Sequence, residues 1–173
     1  ALIYKEGKYS PISPIGNYLY FDGTLVNNFE QVVVQSKSKN SIDLFLWENG
    51  DLKPVGAFGG NETIATEIND LGKIIGFSKD NLNQRLPFIY DFGNFYNIYD
   101  LISPKRSFNF EYLSVYDINN NNQIVGEALI NGTERRAVLL TPINSVPEPS
   151  TFILFFVGIL AWAAKRKYFF NSP

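Results

Sequence analysis

The chain has 173 residues, 45% of them apolar and 18% charged, which suits one domain with an appendage and is too apolar for wholesale disorder. It contains no Cys and no His, so a disulfide framework, a thiolate metal site and the usual imidazole general base are excluded. Three of the 15 basic residues follow an apolar stretch near the end while all 17 acidic residues precede it, so the body carries 12 basic against 17 acidic residues and does not suit a nucleic-acid partner.

Aromatics are dense, with 10 Tyr and 15 Phe, and they fit pleated, half-buried surfaces, so the body reads as all-β. The chain opens on Ala1 and lacks Met, which reads as a fragment or processed form without its export signal and its upstream repeats.

In chain order, the body repeats itself. Leu2-Ile3-Tyr4-Lys5-Glu6-Gly7 returns as Phe45-Leu46-Trp47-Glu48-Asn49-Gly50 and as Phe88-Ile89-Tyr90-Asp91-Phe92-Gly93, with a clipped copy at Ala137-Val138-Leu139-Leu140. A second series alternates with the first. It contains Val26-Asn27-Asn28-Phe29-Glu30-Gln31-Val32-Val33-Val34, then Ile68-Asn69-Asp70-Leu71-Gly72-Lys73-Ile74-Ile75-Gly76, then Ile118-Asn119-Asn120-Asn121-Asn122-Gln123-Ile124-Val125-Gly126. Tyr4, Trp47 and Tyr90 are spaced by 43 residues, and Asn27, Asn69 and Asn119 by 42 and 50. Two markers thus agree on a unit of about 43 residues, with an insertion of about eight in the third.

Each marker has a physical reason. Asn-Asn and Asn-Asp steps close tight turns, and the β-branched runs after them have strand length. Gly76 and Gly126 suit a bulge or a close backbone approach. Glu48-Asn49-Gly50-Asp51 is a hairpin turn. Strands are expected near residues 31–35, 44–47, 52–55, 73–77, 88–91, 123–128 and 137–141. No segment before Pro149 has a 3.6-residue period, so each unit is expected to be an antiparallel meander of three or four strands stacked on its neighbours. Tyr4, Trp47 and Tyr90 should then share one strand face and be largely buried.

The tail differs. Residues 143–151 form a Pro-rich linker containing Pro147-Glu148-Pro149, and residues 152–164, FILFFVGILAWAA, carry no charge. Thirteen residues are short for a membrane span, but Ser150 and Thr151 can extend the helix, and Lys165, Arg166 and Lys167 can snorkel to the headgroups. The segment is apolar all round, which a core helix with a solvent face is not, so residues 152–164 are expected to form a transmembrane helix. The basic cluster should keep residues 165–173 cytoplasmic and the body, residues 1–142, outside. The two prolines leave an extended backbone at the membrane surface that a peptidase can grip.

The triplet, the short hydrophobic helix and the basic stop resemble a PEP-CTERM sorting signal of exported bacterial proteins. That resemblance implies an exosortase-type membrane processing enzyme and the lipid bilayer as partners. Pro147, Glu148 and Pro149 would be the recognition element, residues 152–164 the retention helix, and Lys165, Arg166 and Lys167 the membrane stop. The body is similar to the bacterial extracellular HAF repeats, in which an Ala-Phe-Leu-Trp segment alternates with an Ile-Asn…Gly-Gln-Val-Val-Gly segment. The second unit matches best, through Phe45-Leu46-Trp47, Gly50, Val55-Gly56, Gly59-Gly60, Ala65, Ile68-Asn69, Gly72 and Ile75-Gly76. The eponymous His is missing, with Asp43 or Arg136 near its place, and the first unit lacks the closing Gly. Repeats of this length look like propeller blades, here an incomplete propeller.

Without His, nucleophilic triads are out unless Lys is the base, and no Ser sits in a nucleophile elbow. Glu62 with Glu67, or Asp91 with Asp100, are the carboxylate pairs a glycoside hydrolase would need. The stretch from Asp117 to Asn122 offers oxygen ligands, but its asparagines recur where turns are needed, so no metal and no cofactor are expected. Tyr18, Tyr20, Phe95, Tyr96 and Tyr99 are candidates for stacking on an exopolysaccharide. The favoured reading is a non-enzymatic exported surface or matrix scaffold, and the alternative is a propeller-type carbohydrate-active enzyme using paired carboxylates.

Overall fold

A computed structural model describes residues 1–12, 19–102 and 110–143. The β body, Ala1–Thr141, is a unit of its own. It starts with a hairpin of β1 (Leu2–Lys5) and β2 (Lys8–Pro11). The first full unit is the antiparallel meander β3 (Tyr20–Val26), β4 (Val32–Lys37), β5 (Ile42–Glu48) and β6 (Asp51–Pro54). The second is β7 (Gly59–Ile68), β8 (Ile74–Asp80), β9 (Arg85–Asp91) and β10 (Asn94–Asn97). The short helix α1 (Ile98–Leu101) comes next. The third unit is the three-stranded meander β11 (Phe110–Ile118), β12 (Ile124–Ile130) and β13 (Glu134–Leu140). One parallel pair, Ile42 with Glu62, joins the first two units along the strand edges.

The units stack face to face, because each sheet is apolar on both sides and must bury both. Period-2 alternation decides which neighbour each residue meets. On β4, Val34 packs towards the β1–β2 hairpin with Ile12 and Phe45, while Val33 packs towards the second unit with Ile74, Phe88 and Tyr90. On β8, Ile74 joins that first-to-second core, and Ile75 turns the other way to meet Leu113, Val115 and Ile124 of the third unit. Ile98 of α1 fills the same second-to-third core. The helix thus sits in the stretch where the repeat spacing calls for an insertion.

The seven expected strands are present, with bounds that differ by a few residues. The first strand of every unit is an addition to that list, and so are β1, β2 and β10. The units do not close into a propeller. Among the described residues β1–β2 and β11–β13 belong to separate sheets. No described helix is long and apolar enough to cross a membrane, and the expected span at 152–164 lies outside the described residues.

Two local devices recur. The two-residue hairpin turns Glu6-Gly7, Asn49-Gly50 and Phe92-Gly93 all have positive φ at both positions, which matches the twist of the strands they join. The first strand of each unit also carries a bulge against the second, after Gly23, after Ala65 and after Val115. Opposite the last two stand Gly76 and Gly126, where a Cβ would collide with the carbonyl oxygens of Ile64 and Ser114. In the first unit the pair is Gly23 with Val34, so the glycine has moved to the partner strand. That exchange explains how the first unit does without its closing Gly.

Candidate functional site

The repeated asparagines build one structure three times. Asn27, Asn69 and Asn119 each follow the last residue of a strand, and each Oδ1 accepts two backbone N–H groups: Phe29 and Gln31, Leu71 and Lys73, Asn121 and Gln123, at 2.9–3.1 Å. Their backbones close the same loop, with Asn27 N–H to the Gln31 carbonyl and its counterparts at Asn69 and Asn119. The fourth loop residue, Glu30, Gly72 or Asn122, has positive φ. Asn suits the first position because a short side-chain carbonyl can replace two missing backbone acceptors at once.

The loops are also joined sideways. Asn27 Nδ2 donates to the Asn69 carbonyl at 3.0 Å, and Asn69 Nδ2 donates to the Asn119 carbonyl at 3.0 Å. Between these bonds, Asp70 is bracketed by both neighbours. Its carboxylate accepts from the Asn28 N–H and Nδ2 at 3.0 and 2.9 Å and from Asn120 Nδ2 at 2.9 Å, while its own N–H donates to Asn120 Oδ1. The hydrogen bonds from Asn28, and then from Asn120, hold the Asp70 carboxyl below its usual range. Sequence reasoning missed this bracket, although a signal exists: the residue after each repeated Asn is Asn28, Asp70 and Asn120, an acceptor flanked by two donors.

The aromatic markers occupy equivalent places on β1, β5 and β9, but their burial is graded. Tyr90 is 6% exposed, Trp47 is half-buried and Tyr4 is 66% exposed. The expectation that all three are largely buried is corrected at Tyr4, whose face of the hairpin meets no further sheet among the described residues. Gly76 and Gly126 are both buried in the strand pairs described above.

Of the candidate hydrolase carboxylates, Glu62 is paired with Lys79 at 2.6 Å and Asp91 with Lys73 at 2.7 Å. Glu67 accepts from the N–H of Ile68, and Asp100 lies exposed in the first turn of α1. The oxygens of Asn119 and Asn120 serve the turn and the bracket. No group of three or more metal-ligating side chains is found among the described residues. Of the candidate sugar-stacking aromatics, Phe95 packs between Phe58 and Phe88, and Tyr99 is half-buried against the third unit, its pKa raised by that burial. Tyr20 and Tyr96 are exposed, and Tyr18 lies outside the described residues. A groove of about 170 Å³ between β8, β9 and β11 is lined by Gly76, Pro87 and Leu113 among others.

Pro147, Glu148 and Pro149 lie outside the described residues, as do Lys165, Arg166 and Lys167 and the expected helix between them. No curated protein and no solved structure matches the chain. Residues 145–167 match a family model described as a PEP-CTERM protein-sorting motif, which covers the triplet, the apolar stretch and the basic cluster, and supports an exported protein sorted by an exosortase.

Proposed function

We propose that this chain is an exported bacterial surface or extracellular-matrix protein whose HAF-type β-repeat body is a non-enzymatic structural or binding scaffold. Its tail anchors it in the cytoplasmic membrane until an exosortase recognises Pro147, Glu148 and Pro149. The observation that carries the reading is the sorting-motif match at residues 145–167. Residues 152–164 then span the bilayer, and Lys165, Arg166 and Lys167 hold the far end in the cytoplasm.

The body supports a scaffold in two ways. Asn27, Asn28, Asn69, Asn120 and the bracketed Asp70 are spent on joining units, and Glu62 and Asp91 are spent on lysines. That use favours a scaffold over a hydrolase, which needs one carboxyl protonated and another free to attack or to activate water. Exposed Tyr20 and Tyr96 keep an exopolysaccharide ligand worth testing.

The test is fractionation of the producing bacterium. Pro147→Ala with Glu148→Ala should leave the full-length chain in the cytoplasmic membrane. Deletion of Lys165 to Lys167 should weaken retention. If the double variant matures and reaches the surface like the wild type, the triplet is a plain linker and the sorting role fails.

A further inference from the structure

The repeat register shows where the junction of the second and third units departs from that of the first and second. Arg85 takes the place of Ile42, Phe77 of Gln35, Tyr112 of Glu62, Ser114 of Ile64 and Tyr116 of Thr66. At the first junction Ile42 and Glu62 form the parallel pair that joins the two units, and Glu62 is tied to Lys79. At the second, Arg85 and Tyr112 stand in their places without pairing, and β11 belongs to a separate sheet. The groove of about 170 Å³ between β8, β9 and β11 lies there.

The exchanged residues bring one kind of chemistry. The Arg85 guanidinium lies 3.3 Å from the centre of the Phe77 ring, and among the described residues no carboxylate forms an ion pair with it. A guanidinium laid on a ring keeps N–H donors free for a planar anion. Ser114 donates its hydroxyl to the Tyr112 oxygen at 2.7 Å, which leaves the Tyr112 proton for an incoming acceptor. Pro87 and Leu113 line the groove as buried apolar surface, while Tyr112 and Tyr116 line it at 40% and 55% exposure.

We propose that this groove binds a carboxylated sugar ring of an acidic polysaccharide. Arg85 takes the carboxylate, Tyr112 donates to a ring hydroxyl, and the apolar C–H face of the sugar lies on Tyr116. The volume is below the about 300–1,000 Å³ of sites for drug-sized ligands, which suits one ring of a longer chain. A neutral glycan would leave the guanidinium without an anion, so charge complementarity selects the acidic one. The proposal rests on the binding branch of the scaffold reading and gives it a site, away from exposed Tyr20 on β3 and Tyr96 on β10.

Calorimetric titration of the purified full chain in detergent micelles tests this with an oligogalacturonate and with the same oligomer methyl-esterified. The acid should bind at least about tenfold more tightly than the ester, because only the acid gives Arg85 a charged acceptor. Arg85→Gln should weaken the acid by the same factor and leave the ester unchanged, with Arg85→Lys in between. Tyr116→Ala should weaken both oligomers, and Tyr20→Ala with Tyr96→Ala should weaken neither. Arg85 and Tyr116 are exposed, so their variants should melt like the wild type, and the ester comparison needs no variant at all. No binding of the acid, equal affinity for acid and ester, or affinity unchanged in Arg85→Gln would each overturn the proposal. Sorting is read by fractionation of cells and binding on purified protein, so failure of one is distinguishable from failure of the other.

Discussion

Ile75 and Val125 hold the same place in consecutive units, follow the same Asn turn and precede the same glycine, yet Ile75 is wholly buried and Val125 is 43% exposed. Asn69 and Asn119 repeat the contrast. Both accept two turn N–H groups, but Asn69 is buried and donates onward to the third unit, whereas Asn119 is exposed and donates to Gln123 Oε1 within its own turn. What differs is the neighbour, not the local chemistry. In a stack of units, each sheet and each turn takes much of its stability from the unit beside it.

The strongest way to break this comparison is to shorten the paired residues. Ile75→Ala should cost about 2–5 kcal/mol, since it empties a fully buried site, while Val125→Ala should stay within about 0.5 kcal/mol. Denaturant titration of both variants measures the difference, and equal costs would show that the outer position is as dependent on packing as the inner one. Next in size, Asn69→Ala removes the acceptor for two N–H groups and both donations of its buried side chain, to the Asn119 carbonyl and to Asn122 Oδ1. A loss of about 2–3 kcal/mol is expected there, against about 1 kcal/mol for Asn119→Ala, where water can replace the lost acceptor.

A smaller effect sharpens the comparison of hairpin turns. Phe92 is 84% exposed with a φ of 45°, where the first unit has Asn49. Phe92→Asn should stabilise the protein by about 0.5–1 kcal/mol, because Asn tolerates that backbone better, and Asn49→Phe should destabilise it by a similar amount. Thermal melts report both changes.

The smallest effect is pH-dependent. Since the bracket lowers the Asp70 pKa in the folded state, its stabilisation is complete above the unfolded-state value and fades as pH falls through the folded one. The melting difference between the wild type and Asp70→Asn should therefore be constant near neutrality and shrink in acid. A difference that grows in acid would contradict the bracket.

Much of the body was legible in the sequence because its turns are local chemistry. Asn with positive-φ residues, and Glu-Gly or Asn-Gly hairpins, announce themselves at fixed offsets, and the β-branched runs after them give β4, β8 and β12. The first strand of each unit was not legible. β7 is the longest strand, but its Gly59-Gly60-Asn61-Glu62 start and its bulge after Ala65 break the period-2 pattern. The bulge after Val115 does the same in β11. Partnership was the other hidden term. Tyr4 and Tyr90 carry the same local pattern, and nothing in either segment says whether another sheet lies against it. The tail was legible for a different reason: a triplet, an apolar run and three basic residues form a signal that is read as sequence.

Amide hydrogen exchange at two positions tests the central claim most directly. The N–H of Lys73 and the N–H of Gln123 make the same bond to the asparagine side chain four residues before them, at 3.0 and 2.9 Å. If neighbours set stability, Lys73 should exchange much more slowly than Gln123, and Asn69→Ala should remove most of that protection. Equal exchange rates at the two amides would mean that each turn is stable by itself, and the stack would lose its role as the source of the fold's stability.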